Sequence, residues 1–276
     1  MTADDLTTRG VRAAVTVAGS HGVRVDDPVV LRDAGNLLVH LRPAPVVARV
    51  ATSTASGRPR VLDHFQRAES ATRYLTARGV PVVRMSSEFP DGPFTHDGLV
   101  VSFAEHVPHD PTWVPTDFAP RLADLHAELR SYQGPLPDRL PMADISHAIR
   151  LWTRSPAELA AFTAERDALA ATWPALETQP LHGDAHPGNL LLSAHGPVWN
   201  DFEDTWRGPV EWDVACLAST SRLDGAAAAR AYPVGDLAFH LRLRRLHVAG
   251  WLTVLERRFP RYREAADDQL RRIGAV

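Results

Sequence analysis

Residues 181–213 read LHGDAHPGNLLLSAHGPVWNDFEDTWRGPVEWD, and the rest of the chain is interpreted from this stretch. It places His182, Asp184, Asn189, Asp201 and Asp213 within one short, mostly apolar span. The runs Leu190-Leu191-Leu192 and Val198-Trp199 predict two short strands, so the polar residues at their ends are presented by a loop and a turn. Asp, Asn, Gly and Pro are also the ordinary residues of turns, and on that reading alone Asp184 and Asn189 close a loop while Asp201 caps the next segment. A third reading takes His182, Asp184 and His186 as an H-x-D-x-H alternation. On a strand this would present three metal ligands on one face, as in a metal-dependent hydrolase. It leaves Asn189 and Asp201 without a purpose.

The spacing decides among these readings. Asp184 is followed five residues later by Asn189, with Pro187 and Gly188 between, and then by an apolar hairpin ending at Asn200-Asp201-Phe202. Protein kinases use the same layout, because phosphoryl transfer needs one carboxylate at the attacking hydroxyl and oxygen ligands that hold Mg2+ against the β- and γ-phosphates. Several features in fixed order are far more specific than a lone Gly-rich loop. The run from His182 to Asn189, HGDAHPGN, resembles the catalytic loop HGDxxxxN of the aminoglycoside phosphotransferase and choline kinase family. That resemblance implies an α+β, bilobal protein-kinase-like fold, with a mainly β N-terminal lobe and a mainly α C-terminal lobe. It implies Asp184 as catalytic base, Asn189 and Asp201 as Mg2+ ligands, His182 as a residue shaping the loop, and Asp213 as the brace beneath it. The implied phosphoryl donor is ATP, with GTP compatible. Glu203 and Asp204 extend the acidic turn, and Asp204 is expected to face water.

Upstream, an Ala- and Val-rich helix over residues 6–19 precedes strands at 29–32, 37–41 and 46–51, which suggest an antiparallel meander. The turn between the first two strands, with Gly35 and Asn36, is where kinases place the loop over the nucleotide phosphates. Arg49 is the only charge in the third strand and stands where the kinase V-A-I-K signature has lysine. Relatives of the resembled family commonly carry Lys there, so Arg49 is a departure. The whole chain lacks lysine: all thirty basic residues are arginine, so any phosphate contact made by lysine elsewhere falls here to a guanidinium. A helix over 61–78 carries Glu69 on the flank of its buried stripe, the expected partner of Arg49. Further strands are expected from 79–83 and 98–103. The second runs into Ala104-Glu105-His106-Val107 and then a loop with Pro108, Pro111 and Pro115, a composition shift that divides the chain into lobes 1–104 and 105–276. By resemblance, Glu105 and Val107 belong to the hinge that holds the adenine.

Beyond the hinge the pattern is helical. Asp117 is placed to cap a helix with Phe118, Leu122, Leu125 and Leu129 on one face, and Ser155-Pro156-Ala157-Glu158 is a capping box. The acids Glu158, Glu165 and Asp167 form either a solvated face, the favoured reading, or a wall that attracts a cationic acceptor. A long helical pattern over 234–259 has Phe239, Leu243, Leu246, Gly250 and Val254 as its buried stripe and several arginines, Arg244 among them, on an outer face. With no acidic cluster in this tail, a polyamine acceptor is disfavoured.

Composition excludes other classes. A hydrophobic fraction of 45% and a charged fraction of 23% over 276 residues are those of a globular protein with ample core. No apolar run is long enough to span a membrane, and the start MTADDLTTRG lacks an apolar signal core, so a cytoplasmic location is expected. One cysteine, Cys216, precludes an internal disulfide, and a net charge of -3 without a basic run argues against a nucleic-acid partner. The expected activity is transfer of the γ-phosphoryl group of ATP to a hydroxyl of a small molecule, an aminoglycoside first among the acceptors, with choline-like, homoserine-like or sugar acceptors as alternatives. From another class, a catalytically silent nucleotide-binding module has the Arg49 departure in its favour.

Overall fold

A computed structural model describes residues 3–274. Helix α1 (Ala3–Ser20) buries Ala13, Ala14, Val17 and Ala18 along one side, the spacing that lays a helix against a sheet. Gly10 permits the close approach: a Cβ there would lie 2.6 Å from Leu37 Cδ2. The sheet beneath contains β1 (Val25–Asp33), β2 (Asn36–Pro43), β3 (Val46–Ala51), β4 (Phe94–His96) and β5 (Leu99–Glu105), antiparallel throughout in the order β1-β2-β3-β5-β4. Period-two alternation divides its faces. Val46, Ala48 and Val50 of β3 turn into the core with Leu37, Val39 and Leu41 of β2, whereas Val47 and Arg49 turn to the opposite face, towards the cleft.

Between β3 and β4 lie a short helix α2 (Ser53–Gly57) and the longer α3 (Val61–Ala77). The strand expected from residue 79 does not form as a sheet member. Pro81 has no N–H to give a ladder, and the segment instead bridges the lobes: Val83 N–H donates to Trp199 O at 2.8 Å and Trp199 N–H to Pro81 O at 2.9 Å.

The remainder is mainly helical: α4 (Phe118–Leu129), α5 (Leu140–Arg150), α6 (Pro156–Ala171), α7 (Glu211–Ala218), α8 (Gly225–Ala229), α9 (Ala238–Glu256) and α10 (Arg263–Arg272). Two-residue strands β6 (Gln179–Pro180) and β9 (Arg207–Gly208) pair with each other, and the hairpin β7 (Leu190–Ser193) with β8 (Gly196–Trp199) follows the catalytic loop. The α6 capping box is made in full: Ser155 Oγ accepts from Glu158 N–H at 3.2 Å and Glu158 Oε2 from Ser155 N–H at 2.9 Å. Asp117 makes no capping bond; its carboxylate accepts from Arg121 Nε at 2.9 Å, a charge-assisted partner that wins over a backbone amide. Helix α9 runs unbroken through Gly250, where a Cβ would meet Ala148 and Phe162 at 3.2 and 3.3 Å, so this glycine serves close packing against α5 and α6. Leu243, Leu246 and Ala249 of α9 sit in a core cluster of the helical part with Trp206 and Trp212. Among the described residues no helix is long and apolar enough to cross a membrane.

Candidate active site

Asp213, in the first turn of α7, is fully buried and organises the loop of residues 182–189. It accepts from the His182 and Gly183 backbone N–H groups, each at 2.9 Å, and lies 2.9 Å from His126 Nε2. With Nε2 as the donor there, His126 Nδ1 accepts from the Tyr232 hydroxyl at 2.7 Å. Trp212 Nε1 donates to Gly183 O at 2.7 Å. Gly183 sits at φ +90, and a Cβ on it would fall 1.7 Å from the Asp204 carbonyl oxygen, so only glycine fits.

His182 joins this loop to the acidic turn. Its Nδ1 accepts from Asp184 N–H at 3.3 Å and its Nε2 lies 2.9 Å from Asn200 O. Burial lowers the imidazole's affinity for a proton, outweighing the pull of Asp213 and Asp184, so the ring is neutral and its two nitrogens act as acceptor and donor. Both are thereby committed, which removes His182 from any H-x-D-x-H metal site. His186 Nδ1 accepts from Gly188 N–H at 3.0 Å. Among the described residues no group of three His, Cys, Asp or Glu is arranged to hold a metal ion.

Asn189 Nδ2 donates to Asp184 O at 2.9 Å, which turns its amide oxygen the other way. Asn200 N–H donates to Asn189 O at 2.9 Å and brings the adjoining Asp201 alongside. Asp201 adopts a left-handed backbone conformation, φ 68, unusual for a residue with a side chain. The structure thus brings Asp184, Asn189 and Asp201 together, and Asp201 lines the interlobe cleft.

Arginines dominate the electrostatics. Arg244 of α9 donates from Nη2 to Asp184 Oδ1 at 2.6 Å, and His186 Nε2 lies 3.4 Å from Oδ2. Burial alone would raise the Asp184 pKa, but Arg244 and then His186 hold the carboxyl well below the usual range. Asp201 is likewise lowered, its burial outweighed by Arg49, whose Nη1 lies 2.6 Å from Asp201 Oδ1 and 3.3 Å from Glu203 Oε2. Asn36 Nδ2 donates to Glu203 Oε2 at 2.7 Å, so the β1–β2 turn reaches the same carboxylate. Gly35 fixes that turn from the other side, its carbonyl accepting from Thr54 N–H at 2.8 Å.

Three expectations are corrected here. Glu69 is buried, but its partner is Arg73 at 3.6 Å, not Arg49. Asp201 and Glu203 lie on Arg49 and claim its charge, although Arg49 and Glu69 line the same cleft. Asp204 does not face water. It pairs with Arg58, and its pKa is pushed up to about 8 because burial and the neighbouring Glu203, Asp184 and Asp144 outweigh that pairing. Arg58 itself went unnoticed in the sequence. Only 3% exposed, it also holds Asp144 at 3.1 Å and lies over the Trp251 ring at 4.6 Å. Arg244, expected on the outer face, turns inward to Asp184, and its sequence neighbours say why: His240, His247 and Trp251 stand four before, three after and seven after it, a helical face of ring side chains.

The cleft above the acidic turn is apolar: Leu38, Val47 and Ala104 from the N-terminal lobe face Leu191 and Phe202 from the other. Glu105, His106 and Val107 form its rim. Glu105 N–H donates to Arg84 O at 2.9 Å and His106 N–H to Pro45 O at 2.8 Å, while the Val107 N–H has no partner among the described residues.

A family model described as the phosphotransferase enzyme family matches residues 23–247. The chain belongs to that family. Its fold is the bilobal protein-kinase-like one, and it is an ATP-dependent small-molecule phosphotransferase. Among solved structures, an amicoumacin kinase, hAmiN, in complex with AMP-PNP, Ca2+ and Ami superposes with a TM-score of 0.68 at 12% identity, over 94% of this chain and 92% of its own. The choline kinase LicA from Streptococcus pneumoniae gives 0.62 at 18% identity over 95% and 96%. The GDP complex of aminoglycoside 2'-phosphotransferase-IIIa gives 0.63 at 15% identity over 96% and 98%. At such identities the likeness to this phosphotransferase is one of fold. A comparison with curated protein sequences found no match.

Proposed function

We propose that this phosphotransferase moves the γ-phosphoryl group of ATP to a hydroxyl of a small acceptor with Asp184 as the base. The observation that carries the reading is the bonding between loop and turn through His182 and Asn189, which brings Asp184 and Asn189 up to Asp201 on the wall of an apolar cleft. The adenine lies between Val47 and Ala104 above and Leu191 and Phe202 below, with its edge at the Val107 N–H. The N-terminal lobe, residues 1–104, supplies this roof, and the remainder, 105–276, supplies the catalytic loop and the acceptor wall.

The amide oxygen of Asn189 and the Asp201 carboxylate are hard oxygen donors of the kind Mg2+ takes alongside substrate phosphates, so the residues fit that ion. When bound, Mg2+ neutralises charge on the transferring group. Arg49 exchanges Asp201 and Glu203 for phosphate oxygens, and Asn36 steadies the turn over them. Asp184 orients the acceptor hydroxyl and takes its proton as the oxygen attacks phosphorus. His182 and Asp213 hold the loop rather than touch substrate. Of the acids once considered for a cationic acceptor, Glu158 is bound to Arg154 at 3.0 Å and Glu165 to Arg242 at 2.9 Å.

Nucleotide turnover by wild type and Asp184→Asn tests the proposal. The variant is expected to bind ATP as before and to lose at least about a hundredfold in kcat. Turnover that survives the substitution refutes it, and ATP binding with no transfer by the wild type would favour the silent module.

A further inference from the structure

We propose that the acceptor is an alcohol that also bears a carboxylate, and that Arg244 binds that carboxylate. The inference rests on the phosphotransferase reading of Asp184 and names the substrate class of the same site. Whatever hydroxyl is phosphorylated must reach Asp184, and in reaching it meets Arg244, whose Nη2 lies 2.6 Å from Asp184 Oδ1. The Arg244 side chain is 13% exposed, its guanidinium lies 5.8 Å from the Trp212 ring centroid, and its buried Nε–H has no hydrogen-bond partner among the described residues. Its helix is fixed on both sides of it: Leu243 and Leu246 are fully buried, and His247 Nε2 lies 3.2 Å from Asp144 Oδ2.

The charges around the loop select among acceptors. A cationic acceptor would bring like charge against Arg244. A neutral one must compete for Asp184 with a short charge-assisted bond and, on winning it, leaves a buried guanidinium unpaired. A carboxylate resolves both difficulties, because it takes over the Arg244 Nη end that Asp184 now holds and frees Asp184 for the hydroxyl. Arg222 adds to the positive side: its Nη1 is close enough to Gly188 that a Cβ there would sit 3.1 Å away, and its Nη2 donates to Pro111 O at 3.0 Å. The acids around Asp184 are already engaged, Asp201 and Glu203 with Arg49 and Asp204 with Arg58. In the reaction the hydroxyl proton passes to Asp184, the alcohol oxygen bonds to the γ-phosphorus, the bond to the β,γ-bridging oxygen breaks, and ADP departs.

ADP release by the full chain with MgATP is measured for matched alcohols differing in the acid group, glycerate against glycerol, gluconate against glucose, and homoserine against 2-aminobutane-1,4-diol, with choline and kanamycin as cationic acceptors. Turnover of at least one carboxylate member is expected, with kcat/KM about tenfold or more above its partner lacking the carboxylate. Arg244→Met should erase that preference by raising KM for the carboxylate, while Arg244→Lys keeps part of it, and unchanged ATP affinity shows that both variants are folded. Preference for neutral or cationic acceptors, a preference that survives Arg244→Met, or no carboxylate-bearing alcohol accepted overturns the assignment. Transfer to choline or kanamycin alone sinks the charge argument and leaves Asp184 as the base; turnover untouched by Asp184→Asn sinks the underlying reading.

Discussion

Arg49 Nη1 lies 2.6 Å from Asp201 Oδ1, so the strand cation proposed to meet the nucleotide phosphates rests on the carboxylate proposed to hold the metal. Glu69, which the helix pattern offered as its partner, is engaged by Arg73. The two residues therefore separate by experiment. Arg49→Met is expected to raise the KM for ATP about tenfold, the scale of one charge-assisted contact to phosphate, whereas Glu69→Gln should change it less than about threefold. Equal losses in steady-state kinetics would restore the Arg49–Glu69 pair.

The pH profile should report on Arg244. Asp184 is held below the usual carboxylate range despite its burial because Arg244 and His186 favour the charged form. Removing Arg244 leaves the burial and takes away the largest opposing influence, so the Asp184 pKa must rise. A base is needed unprotonated, so the acidic limb of the kcat/KM profile should move to higher pH in Arg244→Met. A limb that stays in place, or moves to lower pH, would show that Arg244 does not set the ionisation of Asp184.

Stability turns on Arg58. It is buried between Asp144, Asp204 and Glu203 and covered by Trp251. Truncation to Met strands buried carboxylates, which costs about 3–5 kcal/mol in comparable sites. Arg58→Met should therefore unfold at markedly lower urea, and Asp144→Leu in the same chain should recover part of the loss. A midpoint within error of wild type would mean that the cluster contributes nothing net.

The catalytic loop was legible because its chemistry demands given residue types at given spacings, and HGDAHPGN meets that demand within eight residues. Strands β2 and β3 were legible because alternation is local. Arg58 lies between Gly57 and Pro59, outside any periodic segment, and its partners are 86 and 146 residues away in sequence, so no local pattern announces it. Arg244 shows the opposite failing. The face it shares with His240, His247 and Trp251 was readable, but a stripe scored by aliphatic residues alone assigns an arginine to solvent. Asp204 followed the same bias, since a charged residue in an acidic turn is placed in water until a buried arginine is known. The pairing of Arg49 with Asp201 rather than Glu69 depends on which carboxylate the tertiary fold brings nearer, information that lies in no single element.

His240 yields the last prediction. It is 1% exposed, neither ring nitrogen has a hydrogen-bond partner among the described residues, and burial lowers its pKa to about 4, only partly opposed by Asp236. In the unfolded chain the same ring titrates near its ordinary 6.5. The folded state therefore binds fewer protons between these values, and stability rises with pH across the window. The contribution is whole above 6.5 and is lost as pH falls towards 4, by about 3 kcal/mol at the acid end at 1.36 kcal/mol per unit. Leucine in its place has nothing to protonate and leaves no polar atom buried without a partner. Urea midpoints of wild type and His240→Leu, taken near neutrality and at about pH 4.5, should diverge on acidification, the variant holding what the wild type loses. Were the two to fall in parallel, the acid sensitivity of the fold would have to come from groups other than His240.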